Sequence, residues 1–141
     1  MTKSPYFAGF FDGEGCIQIV ETRRQKRWIS WSVTASCSQR DPRPLRLLME
    51  QYGGHIHHHP KIKGSDRWIF VWQISGSKAV AAIADMLPFL IVKKEQAEVA
   101  LEFWDRYHLK PGRHNRVTED GHEARRGYSA RLKVLKEEIS A

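Results

Sequence analysis

The sequence is short of cysteine, short of acid relative to base, and has no long apolar run. Its 141 residues include only two cysteines, Cys16 and Cys37, and no CxxC pair. That excludes a disulfide framework and a cysteine-built zinc centre. Both lie in apolar alternating stretches, where cysteine acts as a small buried hydrophobe, so a reducing compartment is expected. The N-terminus has no basic-then-apolar signal segment. The longest apolar run, Met86 to Val92, is far too short for a bilayer. A soluble, intracellular protein with no membrane partner is expected. Asp and Glu total 16 against 23 for Lys and Arg, leaving a net charge of +7. Such a surplus favours a polyanionic partner, because neutralised phosphates release counterions, although charge alone reads equally well as a merely soluble basic protein.

No linker, repeat or low-complexity segment divides the chain, and its length suits one domain over 1–141. Pro5 is placed to open a short helix. Tyr6 to Asp12 is apolar on nearly every side and ends at Gly13 and Gly15. A helix that is apolar all round must be covered all round, and a second copy of itself is one candidate cover. Cys16 to Thr22 reads as a strand. The next strand is clearer: Ile29, Trp31, Val33, Ala35 and Cys37 alternate with Ser30, Ser32, Thr34 and Ser36. Asp41-Pro42 then starts a helix, with Asp41 as its N-cap and a stripe of Leu45, Leu48, Met49 and Tyr52.

A second strand pair covers His55 to Ile62 and Arg67 to Ile74. A helix follows with Val80, Ile83, Ala84 and Leu87 inward, interrupted at Pro88. The next runs from about Lys94 to Tyr107 with Ala97, Ala100, Leu101 and Trp104 inward. A basic loop over 110–121 precedes a last helix from about Glu123, striped by Tyr128, Leu132, Leu135 and Ile139. Two hairpins with helices between them predict an α+β fold with one antiparallel four-stranded sheet and helices on one face. The domain core is expected over about 5–107, with the C-terminal basic loop and extra helix in 108–141.

The segment Asp12-Gly13-Glu14-Gly15 leaves a carboxylate at a helix end, next to a strand. A carboxylate beside an exposed carbonyl suits a hard cation such as magnesium. Taken alone, it reads better as an acidic turn. Tyr6 to Gly15, however, resembles the signature of the LAGLIDADG homing endonucleases. Pro88-Phe89-Leu90-Ile91-Val92-Lys93-Lys94 and Glu95-Gln96-Ala97 also resemble that family, and Gln39 stands after the second strand as it often does there.

The resemblance implies an αββαββα fold with a saddle-shaped sheet. It also implies a homodimeric double-stranded DNA endonuclease, since only one copy of the motif is present. Glu14 would then be the metal ligand and Gly13 would give a backbone carbonyl, while Gln39, Lys93 and Arg43 would complete the catalytic set, with Arg40 as the rival to Arg43. Asp12, the motif's first acid, is expected to be structural. Phe7, Ala8, Gly9, Phe11 and Asp12 would form the dimer interface. The metal would be Mg2+ or Mn2+, with Ca2+ binding but not supporting cleavage. Such proteins belong to a bacterial or phage cytoplasm or an organelle matrix, and to intron or intein mobility.

A twisted sheet of this kind can lie in the major groove and read base edges with its polar parity. That parity gives Gln18, Thr22, Ser30, Ser32, Thr34, Ser36, His55, His57, His59, Lys61, Arg67 and Gln73 as DNA contacts. Arg23, Arg24, Lys26, Arg27 and Lys63 would grip phosphates or guanines at the hairpin tips, and Arg40, which follows Gln39 after the second strand, is a further expected DNA contact. The basic residues of 110–126 either clamp the DNA backbone or form a charged surface loop. His55 to His59 invites a zinc reading, but no Cys or carboxylate accompanies the histidines and a closed site needs four ligands. The alternatives are an RNA-binding maturase or a non-cleaving DNA-binding regulator on the same fold.

Overall fold

A computed structural model describes residues 3–24, 28–60, 68–108 and 118–140. Helix α1, Ser4–Glu14, runs directly into strand β1, Gly15–Arg24, and β2 follows at Trp28–Gln39. Then come helix α2, Arg43–Tyr52, and the hairpin strands β3, His55–Pro60, and β4, Trp68–Ser75. Helix α3, Gly76–Met86, passes into a 3-10 turn at Leu87–Phe89. Helices α4, Lys94–Tyr107, and α5, Glu119–Ser140, complete the described residues. This is the expected element order, forming an α+β fold with one four-stranded antiparallel sheet ordered β1-β2-β4-β3. No described helix is long and apolar enough to cross a membrane.

The period-two pattern decides which sheet face is covered. Ile17 and Ile19 of β1, Val33, Ala35 and Cys37 of β2, and Trp72 and Ile74 of β4 are buried. The register pairs Ile17 with Ala35, Ile19 with Val33, and Cys37 with Trp72, so these side chains form one continuous inner face. The helices cover that face with Phe7, Ala8 and Phe11, Leu45 and Leu48, Ala79, Ala82, Ile83 and Met86, and Ala97, Ala100 and Phe103.

The helix stripes differ in detail from those expected. In α3 the buried set is Ala79, Ala82, Ile83 and Met86, while Ala84 is exposed. Alanines on this face let α3 lie close against β2. In α2, Met49 is 38% exposed, so the core takes Leu45 and Leu48. The helix itself begins at Arg43, after a Pro42 cap, not at Asp41. Asp41 still serves the first turn, since Oδ1 accepts from the Arg43 N–H at 3.0 Å. In the last helix Tyr128 and Leu132 are buried.

Helix α5 docks along α4 and the β1 edge through buried Tyr128 and Leu132 and through polar contacts. The Trp31 indole N–H donates to His122 Nδ1 at 3.0 Å, the Tyr128 hydroxyl donates to Glu102 at 2.9 Å, and Arg126 meets Glu21 at 3.3 Å. Two glycines are needed for close approach. A Cβ on Gly15 would lie 2.6 Å from the Phe11 carbonyl oxygen, and one on Gly54, where φ is +86°, would lie 2.5 Å from the Gln73 carbonyl oxygen.

Candidate functional site

At the α1–β1 junction two acids stand two residues apart in different circumstances. The Asp12 carboxylate accepts from the backbone N–H of Ile91 at 2.8 Å and of Lys93 at 3.0 Å. The Lys93 ammonium in turn donates to the Asp12 carbonyl at 2.8 Å. Three bonds therefore fasten the last turn of α1 to the segment entering α4. Glu14 is exposed, and among the described residues it has neither a hydrogen bond nor an ion pair. Gly13 beside it is exposed too. In this last turn the Phe11 carbonyl is taken by the Gly15 N–H and that of Asp12 by Lys93. The Gly13 carbonyl falls among those with no partner inside the helix.

Below these groups lies Cys37, which pairs with Gly15 across the β1–β2 ladder. Its thiol is pushed up to about 12, first by burial and further by the negative charge of Glu14, while nearby Lys93 opposes the shift. One buried thiol thus senses both charged groups of the junction. Among the described residues no three His, Cys, Asp or Glu side chains cluster in a way that would hold a metal ion. At the junction the groups left open are the Glu14 carboxylate and the Gly13 carbonyl.

The other expected catalytic side chains are less free. Gln39 lies on the inner parity of β2, two residues beyond Cys37, and its Oε1 accepts from the Arg40 N–H at 3.0 Å. Arg43 is bound to Asp41 through Nε and Nη2, the shortest contact being 2.6 Å. The pair holds the Asp41 carboxyl down at about 2, chiefly through the Arg43 hydrogen bond. The Arg40 side chain is exposed and makes no ion pair among the described residues.

The expected dimer set needs correction. Phe7, Ala8 and Phe11 are 1%, 0% and 0% exposed, because they face their own protomer's sheet and helices. Asp12 is half-buried and engaged by its own chain. Gly9 does lie on the free face of α1, together with Tyr6, Phe10 and Gly13. A Cβ added to Gly9 or Gly13 would meet nothing within 4 Å. Tyr6 is 51% exposed, and Phe89, Ile91 and Val92 form a further exposed apolar group in the segment bonded to Asp12.

The outward sheet face carries the expected polar parity. Gln18, Thr22, Ser30, His55 and His57 are exposed, and Ser32, Thr34, Ser36 and Gln73 are half-buried. Cross-strand pairs Gln18–Thr34, Thr22–Ser30, Ser36–Gln73 and His55–Gln73 place them side by side. Arg23 sits near the expected hairpin tip, paired with Ile29 across the ladder. It shares the inner parity of Ile17 and Ile19 and lies 3.7 Å from Glu21. Lys26, Arg27, Lys61, Lys63 and Arg67, the loop over 110–117, and the side chains of Arg24 and His59 lie outside the described residues.

No family model matches the chain, and no curated protein matches it. Solved structures do. The homing endonuclease I-CvuI, in complex with an I-CreI target in the presence of 2 mM Mg with the DNA not cleaved, superposes with a TM-score of 0.73 at 19% identity, over 94% of this chain and 81% of that one. The archaeal intron-encoded homing endonuclease I-Vdi141I, complexed with DNA, gives 0.72 at 20% identity, over 94% and 83%. The LAGLIDADG homing endonuclease I-GzeII, in complex with its DNA target, gives 0.60 at 18% identity, over 79% of this chain and 40% of that one. The chain has the LAGLIDADG homing endonuclease fold. It spans most of I-CvuI and I-Vdi141I but under half of I-GzeII, so it supplies one LAGLIDADG-fold unit, with one α1 and one four-stranded sheet.

Residues beyond the sequence-based set also belong to this LAGLIDADG unit. Ser38 continues the outward parity of β2 and is exposed; strict alternation past Ser36 would have found it. In the sequence Cys37 reads only as a buried hydrophobe, because nothing local places it under Glu14 and Lys93. Tyr6, Phe10 and Gly13 are hidden by an α1 that is apolar on every side.

Proposed function

We propose that the chain is a site-specific double-stranded DNA endonuclease that acts as a homodimer on a long, roughly palindromic site. The single observation that carries this reading is the division of labour at the α1 end. The Asp12 carboxylate accepts from the backbone N–H groups of Ile91 and Lys93, whereas Glu14 stands free of the other described residues at the outer edge of the LAGLIDADG helix. DNA is named as the partner of similarly folded I-CvuI and I-Vdi141I, and the surplus of positive charge supports the same partner here.

Two copies of α1 would meet through Tyr6, Gly9, Phe10 and Gly13, with the glycines permitting close backbone approach. Phe89, Ile91 and Val92 extend that apolar surface. A two-fold axis would then bring two Glu14 carboxylates together, which is why one protomer's ligand set is incomplete. Glu14 and the Gly13 carbonyl would hold Mg2+ or Mn2+, a hard cation that keeps several waters and phosphate oxygens in its shell. When bound, the metal supplies an activated water and neutralises charge on the leaving oxygen.

The remaining work belongs to side chains of the fold. Lys93, anchored through its ammonium to the Asp12 carbonyl, puts positive charge at the junction where a scissile phosphate would lie. Gln39 would orient the attacking water by turning its amide from the Arg40 N–H. Arg40, with no ion pair, is better placed than Arg43 to follow the phosphate, since Arg43 is held by Asp41. The outward parity of the sheet would read base edges.

Incubation of the purified protein with a long, sequence-diverse DNA pool tests the proposal. Cleavage at a recurring, roughly palindromic sequence with Mg2+, and binding without cleavage with Ca2+, is expected. Duplex binding with no cleavage under any divalent ion would instead leave a DNA-binding regulator. Preference for structured RNA over duplex would leave a splicing factor.

A further inference from the structure

We infer that α5 and the outer edge of β1 form a channel for the sugar–phosphate backbone of the DNA, flanking the reading face of the sheet. The inference rests on the DNA-binding reading above and assigns that reading a second contact region.

Helix α5 is not a basic helix. Arg125, Arg126, Arg131, Lys133 and Lys136 are balanced by Glu119, Asp120, Glu123, Glu137 and Glu138. Its charges are nevertheless sorted. A groove of about 580 Å³ runs between α5 and β1, and α5 lines it with Arg126, Lys133 and Lys136 but with none of its five acids. From β1 the groove takes Gln18 and Val20 of the outward face, so it opens onto the surface that carries Ser32 and Thr34. The one carboxylate lining it, Glu21, is paired with Arg126, which also meets Glu119 of α5, each at 3.3 Å, so the net positive charge of the wall comes from Lys133 and Lys136. Lys133 has no ion pair among the described residues. Lys136 donates to the Cys16 sulfur at 3.5 Å, so its side chain reaches a residue of the outward parity of β1.

A helix whose net charge is zero can still present one positive wall, and a long groove with such a wall suits an elongated anion. Arg126, Lys133 and Lys136 are spaced i, i+7, i+10, a span of ~15 Å at 1.5 Å per residue. The backbone of one strand winds round the duplex axis, so a groove of this length would meet a short run of consecutive phosphates. β1 closes the other side as the terminal strand of the sheet, with a row of backbone N–H groups outside the ladder that can donate to phosphate oxygens.

The test is the salt dependence of binding to a random-sequence fluorescent duplex in Ca2+ buffer. A Lys133→Gln/Lys136→Gln variant should lower the slope of log K against log[KCl] by about 0.9 for each phosphate it no longer neutralises, thus by roughly 2 per protomer. Lys133→Arg/Lys136→Arg should restore it. The control is Arg46→Gln/Lys78→Gln, which removes the same charge from exposed positions on α2 and α3 and should leave the slope as in the wild type. An unchanged slope in the groove variant, or an equal fall in the control, overturns the channel while leaving DNA binding intact. Absence of salt-dependent duplex binding by the wild type overturns the DNA-binding reading and the channel together.

Discussion

Asp12 gives its carboxylate oxygens to the backbone N–H groups of Ile91 and Lys93, while Glu14 gives its own to no group among the described residues. The same contrast divides α1 lengthwise. Phe7, Ala8 and Phe11 are fully packed inside the protomer, whereas Tyr6, Gly9 and Gly13 face outward. Groups satisfied within one chain build the scaffold. Groups left open at a helix edge are available to another chain, a metal or a phosphate. The contrast therefore separates residues whose removal should cost stability from residues whose removal should cost activity alone.

The largest expected effect is at Glu14. Glu14→Gln should reduce cleavage by at least about 10²–10³-fold, the range for removing one preorganised group that stabilises developing charge. The melting temperature should not change, because the Glu14 carboxylate bonds to no other described residue, and duplex affinity in Ca2+ buffer should change little. Single-turnover cleavage beside a thermal melt reads both. A variant that melts several degrees lower, or still cuts at the wild-type rate, would put Glu14 with Asp12 in the scaffold.

Asp12 should show the reverse balance, with a smaller total effect. Asp12→Ala leaves the Lys93 N–H, which is partly buried, and the Ile91 N–H without their acceptor. The penalty for an unsatisfied buried donor is about 1–3 kcal/mol, and the exposed Ile91 N–H falls below that range. Unfolding in urea should register that destabilisation. Cleavage should fall with it, because Lys93 is left with one of its two anchors. Asp12→Asn, which keeps an acceptor oxygen, should recover part of the stability. Full stability in Asp12→Ala would dissolve the distinction between the two acids.

How much of this was legible in the sequence depends on the range of the interaction. The alternation from Ile29 to Cys37 is local and fixed by the pleat, so both sheet faces could be read directly. The acidic turn could be read as a junction, and Glu14 and Lys93 could be selected by resemblance. The bonds from Asp12 to Ile91 and Lys93 join residues about eighty positions apart, and no local pattern reports such a contact. For the same reason the inward and outward halves of α1 merge in the sequence. Six of the seven residues from Tyr6 to Asp12 are apolar or glycine, so composition could not say which side met the protomer's own sheet. Arg43 shows a third limit. Its spacing suited the site, but Asp41 two residues earlier captures it locally.

Gly9 sharpens the comparison between the two faces of α1. A Cβ there meets nothing within 4 Å in the protomer. Gly9→Ala should thus stabilise the isolated fold by roughly 0.5–1 kcal/mol, the usual helix penalty of glycine. The same methyl group should hold two α1 helices apart and weaken the dimer. Sedimentation equilibrium should show dissociation at higher protein concentration than for the wild type, and denaturation below the dimer's dissociation constant should show the gain. A dimer unaffected by Gly9→Leu would place the seam elsewhere.

The smallest effect is expected at the two cysteines, one on each face of the sheet. Cys16 is half-buried on the outward parity and accepts a hydrogen bond from Lys136, whereas Cys37 is buried under the junction. Burial raises the Cys37 thiol from 9.0 to about 12, so at pH 8 it holds its proton and lacks the thiolate that alkylating reagents attack. One equivalent of iodoacetamide should therefore react, at Cys16, and peptide mapping should find Cys37 unmodified until the chain is unfolded. The same shift carries a sign for stability. The folded thiol holds its proton to a higher pH than the unfolded one, so its contribution is complete below about pH 9 and is lost as pH rises towards about 12. Cys37→Ala should remove that part of the alkaline slope, at the cost of some packing, while Cys16→Ala should leave it in place. If both cysteines label at the same rate in the native protein, Cys37 is not sealed beneath Glu14 and Lys93, and the packed side of the junction is more open than its geometry indicates.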